Sequence, residues 1–154
     1  MSEESKEKDY DQVLLDLEDE LTNSQTKWNT VLENLSKKIN YELKNSIELS
    51  AEAISYRQMI LEERTQYYYK IYRLNPKLKQ LHKARFEYYS TKYQIKINST
   101  EKNKLIDSDL AYHEAKLEFL QNYINFLTEC IKSVDHVIWS VKNKIDFYNI
   151  SGID

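Results

Sequence analysis

Between Arg64 and Lys104, eleven Lys and Arg side chains stand against two acids, Glu87 and Glu101, a local balance of +9 in a chain of net charge −3. Seven of the thirteen tyrosines fall in the same window: Tyr67, Tyr68, Tyr69, Tyr72, Tyr88, Tyr89 and Tyr93. Cations neutralise phosphates, and flat rings stack on unpaired bases whatever their identity. Interleaved, they match what a single-stranded nucleic acid requires. The plainer alternative is a solvated cationic face with tyrosines at the edge of a helical core. A membrane surface calls for Trp, Phe and Leu opposite the lysines, and a tyrosine-rich edge suits it less.

The order of the residues refines this reading. On a helix starting near Pro76, Leu78, Leu81, Ala84, Tyr88 and Ile95 mark a core face. Arg85, Lys92, Tyr89 and Tyr93 flank that face, and Lys79, Lys83 and Phe86 point further out. Tyr89, Tyr93 and Phe86 then form an aromatic strip between cations. At 100° per residue Lys83 and Arg85 lie about 160° apart, so one flat surface does not reach both. The run Tyr67-Tyr68-Tyr69 spans about 200° of a helix, more than one buried face absorbs. At least one of these rings must face solvent, a partner or a ligand.

Catalytic arrangements are absent from the pattern. A loop that cradles phosphate needs several glycines, and the sole glycine is Gly152. His82, His113 and His136 lack the paired spacing of a metal site. The carboxylates fall on expected solvated helix faces. Cys130 sits among Phe126, Leu127, Ile131 and Val134, the setting of a buried small hydrophobe. A lone cysteine excludes an intrachain disulfide and points to a reducing cytoplasm. The sequence shows no secretory leader and no apolar run near the ~18 residues of a membrane span. The expectation is a protein with no enzymatic activity, cofactor or metal.

The elements that must position these residues are helices. One glycine and one proline leave few turns, which favours long helices over a sheet. The breaks are Thr22 to Thr26, the Asn45-Ser46-Ile47-Glu48 capping pattern, Asn75-Pro76, and Asn98-Ser99-Thr100 with Ser99 or Thr100 as cap. They predict helices over about 10–44, 46–73, 76–96 and 101–148 within one domain, 10–150. Residues 1–9 belong to an acidic stretch, nine acids against two bases in the first twenty, and are expected to be disordered.

The last helix carries the clearest pattern. From Ile106, alternate steps of four and three reach Leu110, His113, Leu117, Leu120, Ile124, Leu127, Ile131, Val134, Ile138, Val141, Ile145 and Tyr148. This is a coiled-coil-like seam with one polar member, His113, suited to setting register. Tyr123, Cys130 and Val137 widen it. The seam fits either an intramolecular bundle core or self-assembly, with Ile124, Leu127, Ile131, Val134, Ile138, Val141 and Ile145 as the contact residues.

A short motif adds a resemblance. Leu81-His82-Lys83-Ala84-Arg85-Phe86-Glu87-Tyr88-Tyr89-Ser90 resembles the Leu-Lys-Ala-Arg-Leu-Asp-Tyr-Tyr-Ser signature of the UvsY family of T-even phage recombination mediators. Asn45 to Ala53 and Leu120 to Tyr148 are similar to flanking segments of that family. The resemblance spans roughly residues 31–150. It implies an all-α protein assembling into a ring-shaped homo-oligomer of six or seven subunits. That ring would bind single-stranded DNA in the cytoplasm of an infected bacterium. It would displace the phage single-strand-binding protein and load the phage recombinase. Within the motif the DNA-binding lysine and arginine fall on Lys83 and Arg85. With Lys79, Tyr89, Lys92 and Tyr93 they make up the expected DNA-binding set. The chain departs from the family in lacking a glycine-containing loop after the motif and in its acidic front, to which no role transfers. The rival expectation is a helical adaptor that binds only proteins.

Overall fold

The computed structural model describes residues 3–39 and 43–151, with side chains for 9–39 and 45–151. It is all-α: α1 spans Glu3–Lys38, α2 Leu43–Thr91 and α3 Ser99–Ser151, and no strand occurs among the described residues. Three helices replace the four or more expected.

Each missing break has a local cause. Helix α1 runs through Thr22 to Thr26 because the Thr26 and Thr30 hydroxyls donate to the carbonyls one turn back, Thr22 and Thr26, both at 3.0 Å. Their polar groups are satisfied without leaving helical geometry. Helix α2 runs through Pro76. Proline has no N–H, so the bond to the Tyr72 carbonyl is not made. Pro76 is exposed and Tyr72 is 75% exposed, so the lost bond lies where water replaces it. Apolar positions Ile71, Leu74, Leu78 and Leu81 keep one face covered on both sides of the proline. Helix α1 also begins at Glu3, inside the stretch expected to be disordered.

The real break follows Thr91, five residues before the expected Lys96. The Lys92 and Tyr93 amides both donate to the Tyr88 carbonyl, at 2.9 and 3.0 Å, and close the helix end. Helix α3 is then capped by Asn98, not by Ser99 or Thr100. The Asn98 side chain accepts from the Glu101 amide and the Glu101 carboxylate accepts from the Asn98 amide, each at 2.9 Å. That reciprocal pair satisfies two otherwise unpaired donors. The expected cap at Asn45 instead falls within α2, which opens at Leu43.

The chain divides into two compact units. Each unit takes a segment from every helix. The first comprises Met1–Glu20 and Tyr67–Asn122, the second Leu21–Gln66 and Tyr123–Asp154.

In the second unit the buried residues of α1 recur every seven positions: Leu21, Trp28 and Leu35. They share a core with Leu49, Ala53 and Ile60 of α2 and with the α3 seam. Burying a side chain the size of Trp28 is worth about 3–5 kcal/mol against truncation to alanine. Glu63 ties the three helices together. One of its oxygens accepts from the Trp28 indole at 3.0 Å, the other from the Tyr123 hydroxyl. Cys130 is buried beside this core as expected. Burial, aided by the charge of Glu63, pushes its thiol up to about 11.

In the first unit the buried side chains are Tyr67 and Ile71 of α2 and Ile106, Leu110 and Leu120 of α3. The acidic segment of α1 is anchored there by Tyr10, which stacks on Tyr112 at 4.3 Å. The Tyr67 hydroxyl donates to Glu20 at 3.2 Å.

Of the residues assigned to self-assembly, Ile124, Leu127, Ile131, Val134 and Val141 are buried within this one chain. Ile138 and Ile145 are half-buried. Five of the seven therefore serve an intramolecular core. The physical reason is that α1 and α2 carry apolar ladders of their own that meet those five.

Candidate nucleic-acid interface

Continuity through Pro76 arranges the basic window in a way that a broken helix would not. Tyr69, Tyr72, Pro76, Lys79, Lys83 and Phe86 follow one another on α2 in steps of three and four. All are exposed, with Tyr69 at 63%, Tyr72 at 75% and Phe86 at 48%. They form an outward heptad stripe with two rings at one end, two ammonium groups in the middle and a third ring at the other end. At 1.5 Å per residue the stripe is about 26 Å long. Among the described residues no ion pair holds Lys79 or Lys83. The Lys102 ammonium lies 4.7 Å from the Phe86 ring centroid and adds a cation to that end.

The triple tyrosine divides as its spacing requires. Tyr67 is 5% exposed and turned into the core, whereas Tyr68 and Tyr69 are exposed. The Lys70 ammonium sits 4.1 Å from the Tyr67 ring centroid.

The other expected DNA-contact residues gather in a second cluster at the end of α2. Tyr88, Tyr89 and Tyr93 form a triangle of edge-on rings with centroids 5.1–6.1 Å apart. Asp109 of α3 accepts from the Tyr89 hydroxyl at 2.9 Å and pairs with the Arg85 guanidinium at 3.3 Å. Burial, with the Asp109 carboxylate, holds the Tyr89 phenol above its ordinary range. Two expectations are corrected here. Tyr89 and Tyr93 are half-buried, where an exposed strip was expected. Tyr88, expected in the core, is 41% exposed, and Ala84 and Ile95 are exposed as well. The cause is the helix end at Thr91, which folds Tyr93 back onto its neighbours. Lys92 stays exposed at this turn.

The structure thus splits the predicted set. Lys79 and Lys83 share the outward stripe, while Arg85, Tyr89 and Tyr93 belong to the end cluster. Sequence reasoning missed Tyr69 and Tyr72 as partners of the two lysines. The signal was present as heptad spacing of rings and cations across Pro76, and the helix break placed there concealed it.

Other chemistry is sparse. Among the described residues no group of three His, Cys, Asp or Glu side chains could hold a metal ion. His82 and His136 are exposed. His113 is half-buried against Tyr10 and Tyr112, and burial and then Lys116 hold it below its ordinary range. No helix among the described residues is long and apolar enough to cross a membrane. What the stripe offers is phosphate neutralisation and base stacking, side by side, on one rigid element. Comparison with known proteins finds no matching family model, no similar curated protein and no similar solved structure.

Proposed function

We propose that this chain is a non-enzymatic, single-stranded DNA-binding protein that acts as a recombination mediator. The observation that carries the reading is the outward stripe of Tyr69, Tyr72, Lys79, Lys83 and Phe86 on α2. Unpaired cations between exposed rings suit a strand whose bases are free to stack. Duplex DNA offers no such faces. Stacking on exposed aromatics contributes about 1–3 kcal/mol per base and tolerates any sequence.

The mediator role rests on the Leu81–Ser90 motif and its likeness to the UvsY family. In this reading several copies, six or seven in a ring, present their stripes together, and weak contacts add through effective concentration. The ring displaces a phage single-strand-binding protein and loads a phage recombinase in the infected bacterial cytoplasm. Because the heptad seam is internal, assembly falls to apolar side chains left outside the second unit's core. Trp139, Phe147 and Ile150 of α3 are 64%, 65% and 87% exposed. The same three residues favour the rival reading, a helical adaptor that binds only proteins.

Salt titration of oligo(dT) binding separates the two. For single strands, log K falls with log salt by about 0.7 per neutralised phosphate. Lys79→Ala with Lys83→Ala should lower that slope by about 1.4. Arg85→Ala should change it less, since Asp109 already neutralises Arg85. A wild-type protein that ignores oligo(dT) at low salt sinks the DNA reading and leaves the adaptor.

A further inference from the structure

Beside the stripe, the first unit contains a pocket of about 300 Å³ with an unusual lining. Its rim is cationic: Lys70, Arg73 and Lys77 of α2 and Lys116 of α3. Its floor is apolar: Leu17 of α1, Leu74 of α2 and Leu120 of α3. No carboxylate lines it. Lys70, Arg73 and Lys77 stand three, four and seven residues apart, so like charges share one helix face, which opposes folding. Lys116 brings a fourth charge from another helix. Among the described residues no ion pair engages any of the four, so an anion entering the pocket meets them together. The leucine floor says more about that anion. A bare phosphate gains nothing from apolar contact, whereas a flat ring does.

We propose that this pocket seats one nucleotide of a bound single strand. Its unstacked base lies on Leu17 and Leu74, above the buried Leu120, and the flanking phosphodiesters are held by Lys70, Arg73, Lys77 and Lys116. The path is short: Arg73 stands four residues, one turn, beyond Tyr69, so a strand leaving the stripe at Tyr69 meets the rim directly. None of the four cations belongs to the stripe. This inference rests on the single-strand reading above and adds a base-specific depth to it, a place where one base leaves the stack.

Two measurements on the full-length protein test it. In leucine-methyl NMR, oligo(dA) should shift Leu17 and Leu74 methyls through the adenine ring current. An abasic oligomer of equal length should leave them in place. In salt titrations with oligo(dT), Lys77→Ala with Lys116→Ala should lower the slope by about 1.4. An unchanged melting temperature for that variant excludes a folding defect. Suppose wild type binds and Lys79→Ala with Lys83→Ala still weakens it. Methyl shifts that are the same for both oligomers, or a slope unchanged in Lys77→Ala with Lys116→Ala, then overturn the pocket and leave the stripe standing. Failure of wild type to bind any oligomer overturns both.

Discussion

Glu63 is the point at which the second unit should be most sensitive to a single atom. Its carboxylate accepts from the indole of Trp28, 1% exposed, and from the hydroxyl of Tyr123, 0% exposed. Both donors are buried, whereas Glu63 itself is half-buried. Glu63→Ala leaves the Trp28 N–H without an acceptor, at about 1–3 kcal/mol, and deprives Tyr123 of a charged acceptor, about 1.5–3 kcal/mol. The two share one partner and do not add fully, so a loss of about 3–4 kcal/mol is expected. For a chain of this length that is roughly 10 °C in melting temperature. Glu63→Gln tests the mechanism. The amide oxygen still accepts from the indole, and the amide NH2 donates to a phenol that rotates to accept. Its cost should stay below about 1 kcal/mol, the net worth of one ordinary hydrogen bond. The assay is thermal and urea unfolding followed by circular dichroism. A Glu63→Gln variant as unstable as Glu63→Ala would show that charge, and not donor count, governs the site. An alanine variant within about 0.5 kcal/mol of wild type, the range of an ordinary surface substitution, would refute the reasoning altogether.

Further outcomes follow from the same geometry. Pro76→Ala removes the ring clash and the missing bond that together cost about 3 kcal/mol in a helix interior, against about 0.4–1 kcal/mol of lost unfolded-state restriction. The variant should be more stable in urea. With its thiol raised to about 11, Cys130 should resist disulfide reagents at pH 8 and react fully only in denaturant. His113 is held low in the folded state, so the unfolded chain takes up the proton first. Stability should therefore be complete above the ordinary histidine range and fall as pH drops through it, and His113→Gln should flatten that fall. Asp109→Asn should return the Tyr89 phenol toward its ordinary range, read by ultraviolet titration, and free Arg85, raising the salt slope of oligo(dT) binding.

The helical class was legible in the scarcity of Gly and Pro and in the seam from Ile106 to Tyr148. Its burial pattern was legible too, since Leu120, Ile124, Leu127, Val134 and Val141 are all core. What covers the seam was not legible. A period of seven says that a face is apolar, not whose side chains meet it. Here the ladders Leu21-Trp28-Leu35 and Leu49-Ala53-Ile60 meet part of it from the same chain. Pro76 misled for a related reason. The steric rule for proline is local, and a continuous apolar face through buried Ile71 and half-buried Leu74 and Leu78 overrides it. Lys79 and Lys83 were legible from charge alone. The pairing of Arg85 and Tyr89 with Asp109 joins residues 24 and 20 apart across a turn, and no local pattern announces it.

The proline then acquires a meaning that a helix break would have denied it. It stands at the centre of the stripe, between Tyr72 and Lys79, and removes the amide that would close on the Tyr72 carbonyl. That carbonyl is left on the solvent side as a hydrogen-bond acceptor, beside tyrosine hydroxyls that both donate and accept and ammonium groups that only donate. In the single-strand reading proposed above, bases stacked on Tyr69 and Tyr72 would present N–H edges that need an acceptor. An alanine at position 76 keeps the ring spacing and the charges but withdraws this acceptor. Comparing oligo(dT) with a permethylated strand that lacks base N–H groups measures what the carbonyl adds. A preference for oligo(dT) that vanishes in Pro76→Ala would assign the acceptor to Tyr72. One that persists would locate it in the side chains.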